Sequence, residues 1–365
     1  MEVREITLEN YRNIERATLS FTPGVNLLLG SNAQGKTNVL EGIYTFARGK
    51  SFRAAAEGDC IRFGQDGFSL SLRYAASDRE GELCYRLWGR ERRRTKNGSP
   101  CRLSEMMQSF HAVLFHPGHL QLVRGGPADR RDFLNIGIGQ CNPLYIEEYA
   151  VYNRVLENRN RLLRALGRGE ISDRGELEVW SASLARSAAT LVRMRRAYLR
   201  RLGKYAAAVM EELSGGREHL TIDYLCSIPE CEDGEAERMY LSLLTEKVER
   251  EIAAGFTLYG VHRDDLELKI NGIPARGFAS QGQQRSVVLA LKMAEGEVTA
   301  ELCGEYPVLL FDDVMSELDE ERRAFVLRRA TDRQMIITAC ERGEFERTAC
   351  SVTEVREGKY VPSHR

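Results

Sequence analysis

The pattern of apolar and polar residues divides the chain into segments typical of strands and segments typical of helices. Half-exposed strands are predicted where the two kinds of residue alternate, at 3–9, 17–21, 68–76 and 81–89. Buried strands are predicted at the short apolar runs 25–29, 111–115, 308–311 and 334–340, the last of these being the final strand. Between 144 and 213 the apolar residues recur every three or four positions, which predicts helices. The pattern therefore predicts an α/β domain that a helical segment interrupts.

The helical segment has the periodicity of a short antiparallel coiled coil. Its second helix carries an apolar seam from Leu177 to Leu213, and at 1.5 Å per residue this seam is about 55 Å long. The first helix has a similar stripe, which Arg159 interrupts. We therefore predict a helical arm at 144–254, inserted into a head formed by 1–143 and 255–365.

Composition and charge limit the classes of function. The 365 residues carry a net charge of −1, so any binding of nucleic acid needs a local basic face. No segment reaches the roughly 18 uncharged apolar residues of a membrane span, and no signal peptide begins the chain, so we expect a cytoplasmic protein. The nine cysteines are scattered, which favours reduced and mostly buried thiols.

Residues 25–37, VNLLLGSNAQGKT, contain the spacing of a phosphate-binding loop. Gly30 and Gly35 allow the backbone to turn tightly, so that its N–H groups approach anionic oxygens at the start of the next helix. Lys36 is expected to contact the β- and γ-phosphates of ATP, and Thr37 to bind Mg²⁺. The predicted nucleotide-binding residues here are Gly30, Ser31, Asn32, Ala33, Gln34, Gly35, Lys36 and Thr37.

The apolar run 308–311 ends in two carboxylates, Asp312 and Asp313. The carboxyl ends of parallel strands are the edge at which α/β sheets bind ligands. We expect Asp312 to hold Mg²⁺ and Asp313 to orient or deprotonate the attacking water. Alone, such a pair is also typical of a helix N-cap.

Residues 279–285, ASQGQQR, open a predicted helix and form a second candidate anion site. Ser280, Gly282 and Gln283 would supply a hydroxyl, a backbone N–H and an amide. Because the first loop already serves the phosphates beside Lys36, the second site is expected to cover the γ-phosphate bound by a neighbouring subunit. This arrangement resembles the signature motif of ATP-binding-cassette (ABC) ATPases, and SELD at 316–319 resembles their D-loop. The predicted catalytic residues are thus Asp313, Lys36 and, in trans, Ser280.

Longer stretches resemble the RecF family, bacterial repair ATPases related to the chromosome-structure (SMC) ATPases. They are NYRNIERATLSFTPGVNLLLGSNAQGKTNVLEGIY, GKSFR, GGPADRRDFLN, GVHRDDLELKINGIPARGFASQGQQRS and LLFDDVMSELD. The resemblance implies an ABC-type head, an ATP-dependent homodimer, binding to DNA gaps or single/double-strand junctions, and slow DNA-stimulated ATP hydrolysis. It also implies roles in recombination, replication restart and the SOS response, with the partners RecR and RecO and indirectly RecA. Transporter ATPases carry a γ-phosphate-sensing histidine after the last core strand, where this chain has Thr338 and Ala339.

Several basic clusters are candidates for contact with DNA phosphates, although each is also typical of a solvated face. They are Arg92, Arg93, Arg94 and Lys96 near the predicted hairpin, Arg124, Arg130 and Arg131 after the 111–115 strand, and Arg193, Arg195, Arg196, Arg200 and Arg201 on the arm. No base-reading helix is evident, so little sequence specificity is expected.

Other functions remain open from the residues alone. The chain could be the ATPase subunit of another assembly, either a transporter or a chromosome-structure scaffold. A small-molecule kinase needs neither the Ser280 motif nor a D-loop, and a scaffold would use ATP only to control assembly.

Overall fold

The computed structural model describes residues 1–77, 79–232, 234–330, 332–345, 348–356 and 358–363. The chain divides into two compact units. The first unit comprises Met1–Leu120, Tyr205–His219 and Ser280–Arg365, and the second comprises Gln121–Lys204 and Leu220–Ala279. The predicted domains, a head at 1–143 and 255–365 and an arm at 144–254, have other bounds than these two units. They remain a prediction.

The secondary structure alternates between strands and helices along most of the chain. The strands are β1 (Glu2–Tyr11), β2 (Ile14–Ser20), β3 (Val25–Leu29), β4 (Gly67–Ala75), β5 (Glu80–Trp88), β6 (Glu91–Lys96), β7 (Ser99–Pro100), β8 (Ala112–Phe115), β9 (Leu220–Leu225), β10 (Asp265–Ile270), β11 (Ile273–Pro274), β12 (Val308–Phe311), β13 (Met335–Ala339), β14 (Cys350–Arg356) and β15 (Lys359–Ser363). The α-helices are α1 (Lys36–Arg48), α2 (Leu103–Ser109), α3 (Gln121–Arg124), α4 (Pro127–Cys141), α5 (Pro143–Gly167), α6 (Gly175–Ser214), α7 (Glu235–Glu246), α8 (Val248–Ala254), α9 (Ala275–Phe278), α10 (Gln281–Cys303) and α11 (Glu320–Arg328). Short 3₁₀ helices lie at Glu57–Cys60, Pro117–Leu120, Met315–Glu317 and Gly343–Phe345.

The first unit contains a largely parallel sheet in the order β15-β14-β3-β13-β12-β8. Strands β14, β3, β13, β12 and β8 are parallel, and their central members are buried on both faces, as their apolar runs predict. The prediction that 334–340 is the final strand is wrong, because β14 and β15 follow it. Those strands lie at the edge of the sheet and carry many polar residues, so their sequence lacks the apolar run that marks the inner strands.

The first unit also contains an antiparallel sheet in the order β2-β1-β4-β5-β6-β7. Its strands alternate between buried apolar and exposed polar residues, which confirms the alternation seen in the sequence. Helix α1 packs against this sheet: a Cβ at Gly42 would lie 2.8 Å from Leu8 Cδ2, so glycine allows close approach of helix and strand. The buried face of α1 thereby fixes the position of the loop that precedes it.

The second unit combines helices with a three-stranded sheet in the order β11-β10-β9. Helix α5 begins with Pro143, and the Asn142 side chain caps it by accepting from Leu144 N at 3.1 Å. Arg159, which interrupts the apolar stripe, is fully buried, and it donates to Glu251 Oε2 at 2.6 Å and to Ser181 Oγ at 2.9 Å. The interruption is thus a buried ion pair that links α5, α6 and α8.

A second buried ion pair explains part of the motif HRDD at 262–265. Arg195 donates to Asp264 Oδ2 at 3.0 Å and to Val261 O at 2.7 Å, and both charged side chains are almost fully buried. Tyr224 Oη also donates to Asp264. Burial outweighs these contacts and raises the pKa of the Asp264 carboxyl above its ordinary value. Arg195 therefore holds the second unit together and is not available to DNA, contrary to its place among the basic candidates.

Replacing Asp264 by alanine is expected to lower the free energy of unfolding by about 3–5 kcal/mol, because Arg195 would stay buried without its counter-charge. Urea unfolding followed by circular dichroism measures this loss. Asp223→Ala is the matched control, since its partner Lys269 lies on the surface and the pair is solvent-screened. An Asp264→Ala midpoint equal to that of the control would contradict the proposed role.

The distribution of cysteines differs from expectation. All nine thiols are free, as predicted, but Cys60 is buried, Cys340 is exposed and the others are half-buried. Within the described residues, no helix is both long enough and apolar enough to cross a membrane.

Candidate functional site

The phosphate-binding loop lies between β3 and α1, as its sequence predicts. Helix α1 begins at Lys36, and Gly35 precedes it with φ 108°, in a conformation that favours glycine. At Gly30 a Cβ would lie 2.3 Å from the carbonyl oxygen of Val355, so no other residue fits without moving β14. The two glycines that define the motif are therefore both required by the backbone.

Lys36 is buried at the mouth of this loop, with 3% of its surface exposed. Its Nζ donates to the carbonyl oxygens of Gly30 and, at 3.1 Å, of Ser31, and it lies 3.7 Å from Cys340 Sγ. Because these partners carry no full negative charge, the ammonium remains electrostatically available to an anion in the loop.

Thr37 and Asp312 meet at the carboxyl edge of the parallel sheet. Thr37 Oγ1 donates to Asp312 Oδ1 at 2.7 Å, and Asp312 N donates to Phe115 O at 2.8 Å, which fixes the backbone beside β8. Burial raises the pKa of the Asp312 carboxyl, and the nearby Asp313 adds to this effect. A hydroxyl and a buried carboxylate are oxygen ligands of the kind Mg²⁺ prefers alongside phosphates and water, so the pair fits that ion.

Asp313 has an unusual backbone conformation, with φ 53°. Its N–H donates to Thr338 Oγ1 at 2.9 Å, and the same hydroxyl lies 3.2 Å from Asp312 Oδ1 and 3.3 Å from Asp313 Oδ1. Non-glycine residues in this region are strained and are held there by their surroundings. Thr338 thus positions both carboxylates.

Two functional neighbours were missed by the sequence reading. Thr338 and Cys340 follow the apolar run of β13, and Cys340 Sγ donates to Asn32 Oδ1 at 3.1 Å. From the sequence alone, the only feature evident here is the absence of a histidine. The parallel pairing of β3 and β13, which only the fold shows, brings the end of β13 beside the loop.

The second predicted anion site begins α10. Ser280 is exposed and caps the helix: its Oγ accepts from Gln283 N at 3.2 Å, and Gln283 Oε1 accepts from Ser280 N at 2.8 Å. Gln283 Nε2 donates to Glu218 Oε1 at 2.9 Å. In the part of the chain that the structure describes, no hydrogen bond joins Ser280, Gly282 or Gln283 to the phosphate loop. The capping role is therefore present within one subunit, and contact in trans stays a prediction.

The predicted D-loop is connected to this helix through Arg322. Asp319 caps α11 by accepting from Arg322 N at 2.9 Å, and Arg322 Nε donates to Ser286 Oγ at 2.9 Å. Arg322 Nη2 also donates to Gly282 O at 3.3 Å. Because Ser316 Oγ donates to Asp313 O at 3.1 Å, this series of contacts reaches from Asp313 to the start of α10.

The basic candidates differ in their availability. Arg130 is buried and donates to both oxygens of Asp265, at 2.6 and 2.8 Å, while Arg131 donates to Asp264 O at 2.9 Å. Arg130 therefore has a structural role in the second unit. Of the predicted basic residues on β6, Arg92 and Arg93 are exposed, whereas Arg94 and Lys96 are half-buried.

Comparisons with known proteins identify relatives of this chain. The family model described as "RecF/RecN/SMC N terminal domain" matches residues 2–360. "DNA replication and repair protein RecF" of Geobacillus thermodenitrificans is 40% identical over 333 residues, covering 90% of this chain and 89% of the relative. The solved "Structure of the recombination mediator protein RecF-ATP in RecFOR pathway" superposes with a TM-score of 0.93 at 30% identity, covering 100% of this chain and 98% of that chain.

The SMC ATPases share only the fold. A solved "SmcHead bound to the C-winged helix domain of ScpA" superposes with a TM-score of 0.56 at 14% identity, covering 100% of this chain and 97% of that chain. The fold is thus that of an ABC-type ATPase head, as the sequence predicts. Because the matches to RecF proteins extend along almost the whole chain, the chain belongs to the RecF family.

Proposed function

We propose that this chain is an ATP-dependent DNA-binding protein of recombinational repair and replication restart, in which ATP closes two copies of the chain on DNA. The observation that carries the proposal is the 2.7 Å contact of Thr37 with Asp312 beside buried Lys36, together with an exposed Ser280 at the start of another helix. Thr37, Asp312 and Lys36 suit the binding of Mg²⁺ and phosphates. Ser280 at the helix N-terminus suits a phosphate bound by another copy of the chain.

Each residue of the loop has a distinct role in ATP binding. Lys36 neutralises the β- and γ-phosphate oxygens, and the N–H groups from Gly30 to Gly35 donate to them. Mg²⁺, held by Thr37 and Asp312, would supply charge neutralisation at the same oxygens. Support comes from the relative solved with ATP, which the chain matches over its full length.

Hydrolysis is a slow timing step in this proposal. Asp313 orients a water molecule and accepts its proton as the oxygen attacks the γ-phosphorus, and the bond to the β-phosphate oxygen breaks to give ADP and phosphate. Thr338 holds the Asp313 backbone and reaches its carboxylate. The strained φ of Asp313 helps to keep its carboxylate beside Thr338 at the carboxyl edge of the sheet.

Dimerisation completes the site from the partner subunit. Ser280 is exposed, and the N-terminus of the long helix α10 carries a partial positive charge that attracts phosphate. Its capping hydrogen bond leaves the hydroxyl proton free to donate. The contacts from Asp313 through Arg322 connect the proposed hydrolysis site with the start of α10. Through them, the presence of the γ-phosphate and the formation of the dimer could influence each other.

We propose DNA gaps or junctions as the ligand, with RecR and RecO as partners and RecA loaded indirectly. The support is membership of the family and the identity of a solved relative, a recombination mediator protein of the RecFOR pathway. A transporter or chromosome-scaffold ATPase is the second candidate, favoured by the shared fold of the SMC head.

Analytical ultracentrifugation with ATP, with ADP and without nucleotide, each with and without gapped duplex DNA, tests the proposal. A dimer that forms with ATP and binds the gapped duplex is expected. If the chain stays monomeric whether or not ATP and DNA are present, the result would favour the small-molecule kinase. If an ATP-dependent dimer forms but does not bind DNA, the result would favour a subunit of another ABC assembly.

Replacing Ser280 by arginine is expected to block the ATP-dependent dimer while leaving ATP binding to the monomer within about twofold, since the residue contacts phosphate only in trans. Sedimentation gives the first quantity and calorimetric titration of ATP gives the second. Ser280→Ala is the milder companion, because it removes the hydroxyl without steric bulk. If the arginine variant loses ATP binding as a monomer, Ser280 acts within its own subunit.

A further inference from the structure

On the solvent face of the antiparallel sheet, two arginines, Arg16 and Arg73, lie directly opposite a glutamate on a neighbouring strand. Arg16 lies directly opposite Glu9, with Nε 3.5 Å from Oε1. Arg73 lies directly opposite Glu5, with Nη1 3.9 Å from Oε1, and faces Glu82 on its other side. Cross-strand pairs of opposite charge stabilise a sheet.

One pair on this face breaks the pattern. Arg86 on β5 lies directly opposite Arg93 on β6, and both are exposed. Arg86 Nε donates to Ser69 Oγ at 3.2 Å, but among the described residues neither guanidinium has an acidic partner. Like charges directly opposite one another destabilise a sheet, so this position favours an anion between the two arginines.

An exposed aromatic ring lies beside this pair. Trp88 is two residues from Arg86 on the same face of β5, and 61% of its surface is exposed. A Cβ at Gly67, its partner on β4, would lie 2.8 Å from the indole Cε3, so the ring rests against bare backbone. The opposite neighbour of Trp88 is Glu91, which limits the positive charge at that end of the face.

A second exposed ring is tied to the same end of the sheet. Phe63 is fully exposed in the segment that precedes β4. Gly89 N, in the turn after Trp88, donates to Asp66 O at 2.9 Å and so connects this segment to the β5–β6 turn. Exposed large aromatics beside unpaired arginines are the combination found in single-strand binding surfaces.

The other arginines of β6 point away from this site. Arg92 donates to Glu57, and the Arg94 guanidinium lies 4.9 Å from the ring centre of Tyr85. Both side chains therefore have partners on the side of the sheet opposite Arg93, although Arg92 stays exposed. The residue that shares a face with Arg93 is instead Arg86, which is not among the basic residues predicted from the sequence.

We propose that Arg86, Arg93 and Trp88 bind unpaired DNA, with the two arginines on backbone phosphates and a base stacked on the indole. The proposal rests on the DNA-binding function proposed above and assigns it a single-strand site. A duplex offers phosphates to the arginines but keeps its base faces stacked, so it leaves Trp88 without a partner. An acidic protein would satisfy the arginines but gains little from the indole.

Intrinsic fluorescence measures the stacking directly, because the chain has two tryptophans, Trp88 and Trp180. In the Trp180→Phe variant only Trp88 reports. Titration with a thymidine strand of about 20 nucleotides, with ATP and Mg²⁺ present, is expected to quench this fluorescence. A blunt duplex of equal length is expected to leave it nearly unchanged.

The affinity for a labelled single strand, measured by fluorescence anisotropy, separates the contribution of base stacking on Trp88 from that of the phosphate contacts of Arg86 and Arg93. Trp88→Ala is expected to weaken single-strand binding by about 5- to 150-fold, and Trp88→Phe by much less. Arg86→Ala and Arg93→Ala are each expected to reduce the slope of log affinity against log salt by about 0.7. Arg73→Ala is the matched control on the same face, where the lost arginine has carboxylate partners, and it should leave both quantities unchanged.

The outcomes separate this inference from the function on which it rests. If the wild-type chain binds neither DNA form, the proposed function fails. If it binds DNA but the Trp88 variants match wild type and no quenching occurs, only the single-strand site is overturned. Quenching of Trp88 by polyglutamate but not by the thymidine strand would assign the surface to an acidic protein and also overturn it.

Discussion

Replacing Lys36 by alanine is expected to weaken ATP binding by about 10- to 150-fold, the loss that follows from removing charge-assisted hydrogen bonds to phosphate. Lys36 is buried, so its ammonium is held beside the loop and shielded from solvent. The variant also loses the hydrogen bonds from Nζ to Gly30 O and Ser31 O, which help to hold the loop closed around its ligand. Calorimetric titration of ATP with Mg²⁺ present measures the loss, and dimer formation should disappear with it.

Lys50→Ala is the matched control for this experiment. Lys50 is an exposed lysine just beyond α1, so its removal changes the net charge equally without touching the loop. Thermal unfolding of both variants checks that the first unit is intact. Equal affinities of Lys36→Ala and Lys50→Ala for ATP would place the phosphates elsewhere.

The phosphate loop could be predicted because a contiguous stretch of sequence encodes it. Gly30, Gly35 and Lys36 lie within seven residues of one another, so the motif is visible in the sequence. The close approach of Val355 to Gly30 is a further reason for glycine at that position. Asp312 and Asp313 could be predicted for a similar reason, since an apolar run followed by carboxylates marks the end of a buried strand.

Thr338 and Cys340 could not be predicted in the same way. Their residue types are ordinary, and they reach the site only because β13 pairs with β3 and β12, which are distant in sequence. The same limit applies to Arg195. On the printed sequence it belongs to a run of arginines typical of a solvated helix face, and only the return of the chain at Asp264 makes it a buried partner.

The cross-strand pair Arg86–Arg93 shows the limit most clearly. A sequence shows arginines near a turn, but whether an arginine faces a glutamate or another arginine depends on the register of the two strands. The sequence predicts a basic cluster of Arg92, Arg93, Arg94 and Lys96 because they lie close together along the chain. Alternation along a strand then places Arg93 on one face and its two neighbours on the other.

Replacing Asp313 by asparagine is expected to lower the rate of ATP hydrolysis by about 100- to 10,000-fold, the usual contribution of a general base. Asparagine keeps the size of the side chain and tolerates the left-handed backbone that Asp313 adopts, so the local geometry should persist. ATP binding should remain, because Lys36, Thr37 and Asp312 are untouched. The variant should therefore accumulate as an ATP-bound dimer.

Single-turnover hydrolysis and sedimentation in ATP together test this prediction, because one reports the chemical step and the other the assembled state. Glu320→Gln, which neutralises an exposed carboxylate at the start of α11, should behave as wild type in both. Asp312→Asn should differ from Asp313→Asn by requiring a higher Mg²⁺ concentration, since it weakens a metal ligand and leaves the base in place. If Asp313→Asn instead hydrolyses ATP at the wild-type rate, the proton must go to another group, and Asp313 would serve only to shape the turn that Thr338 holds.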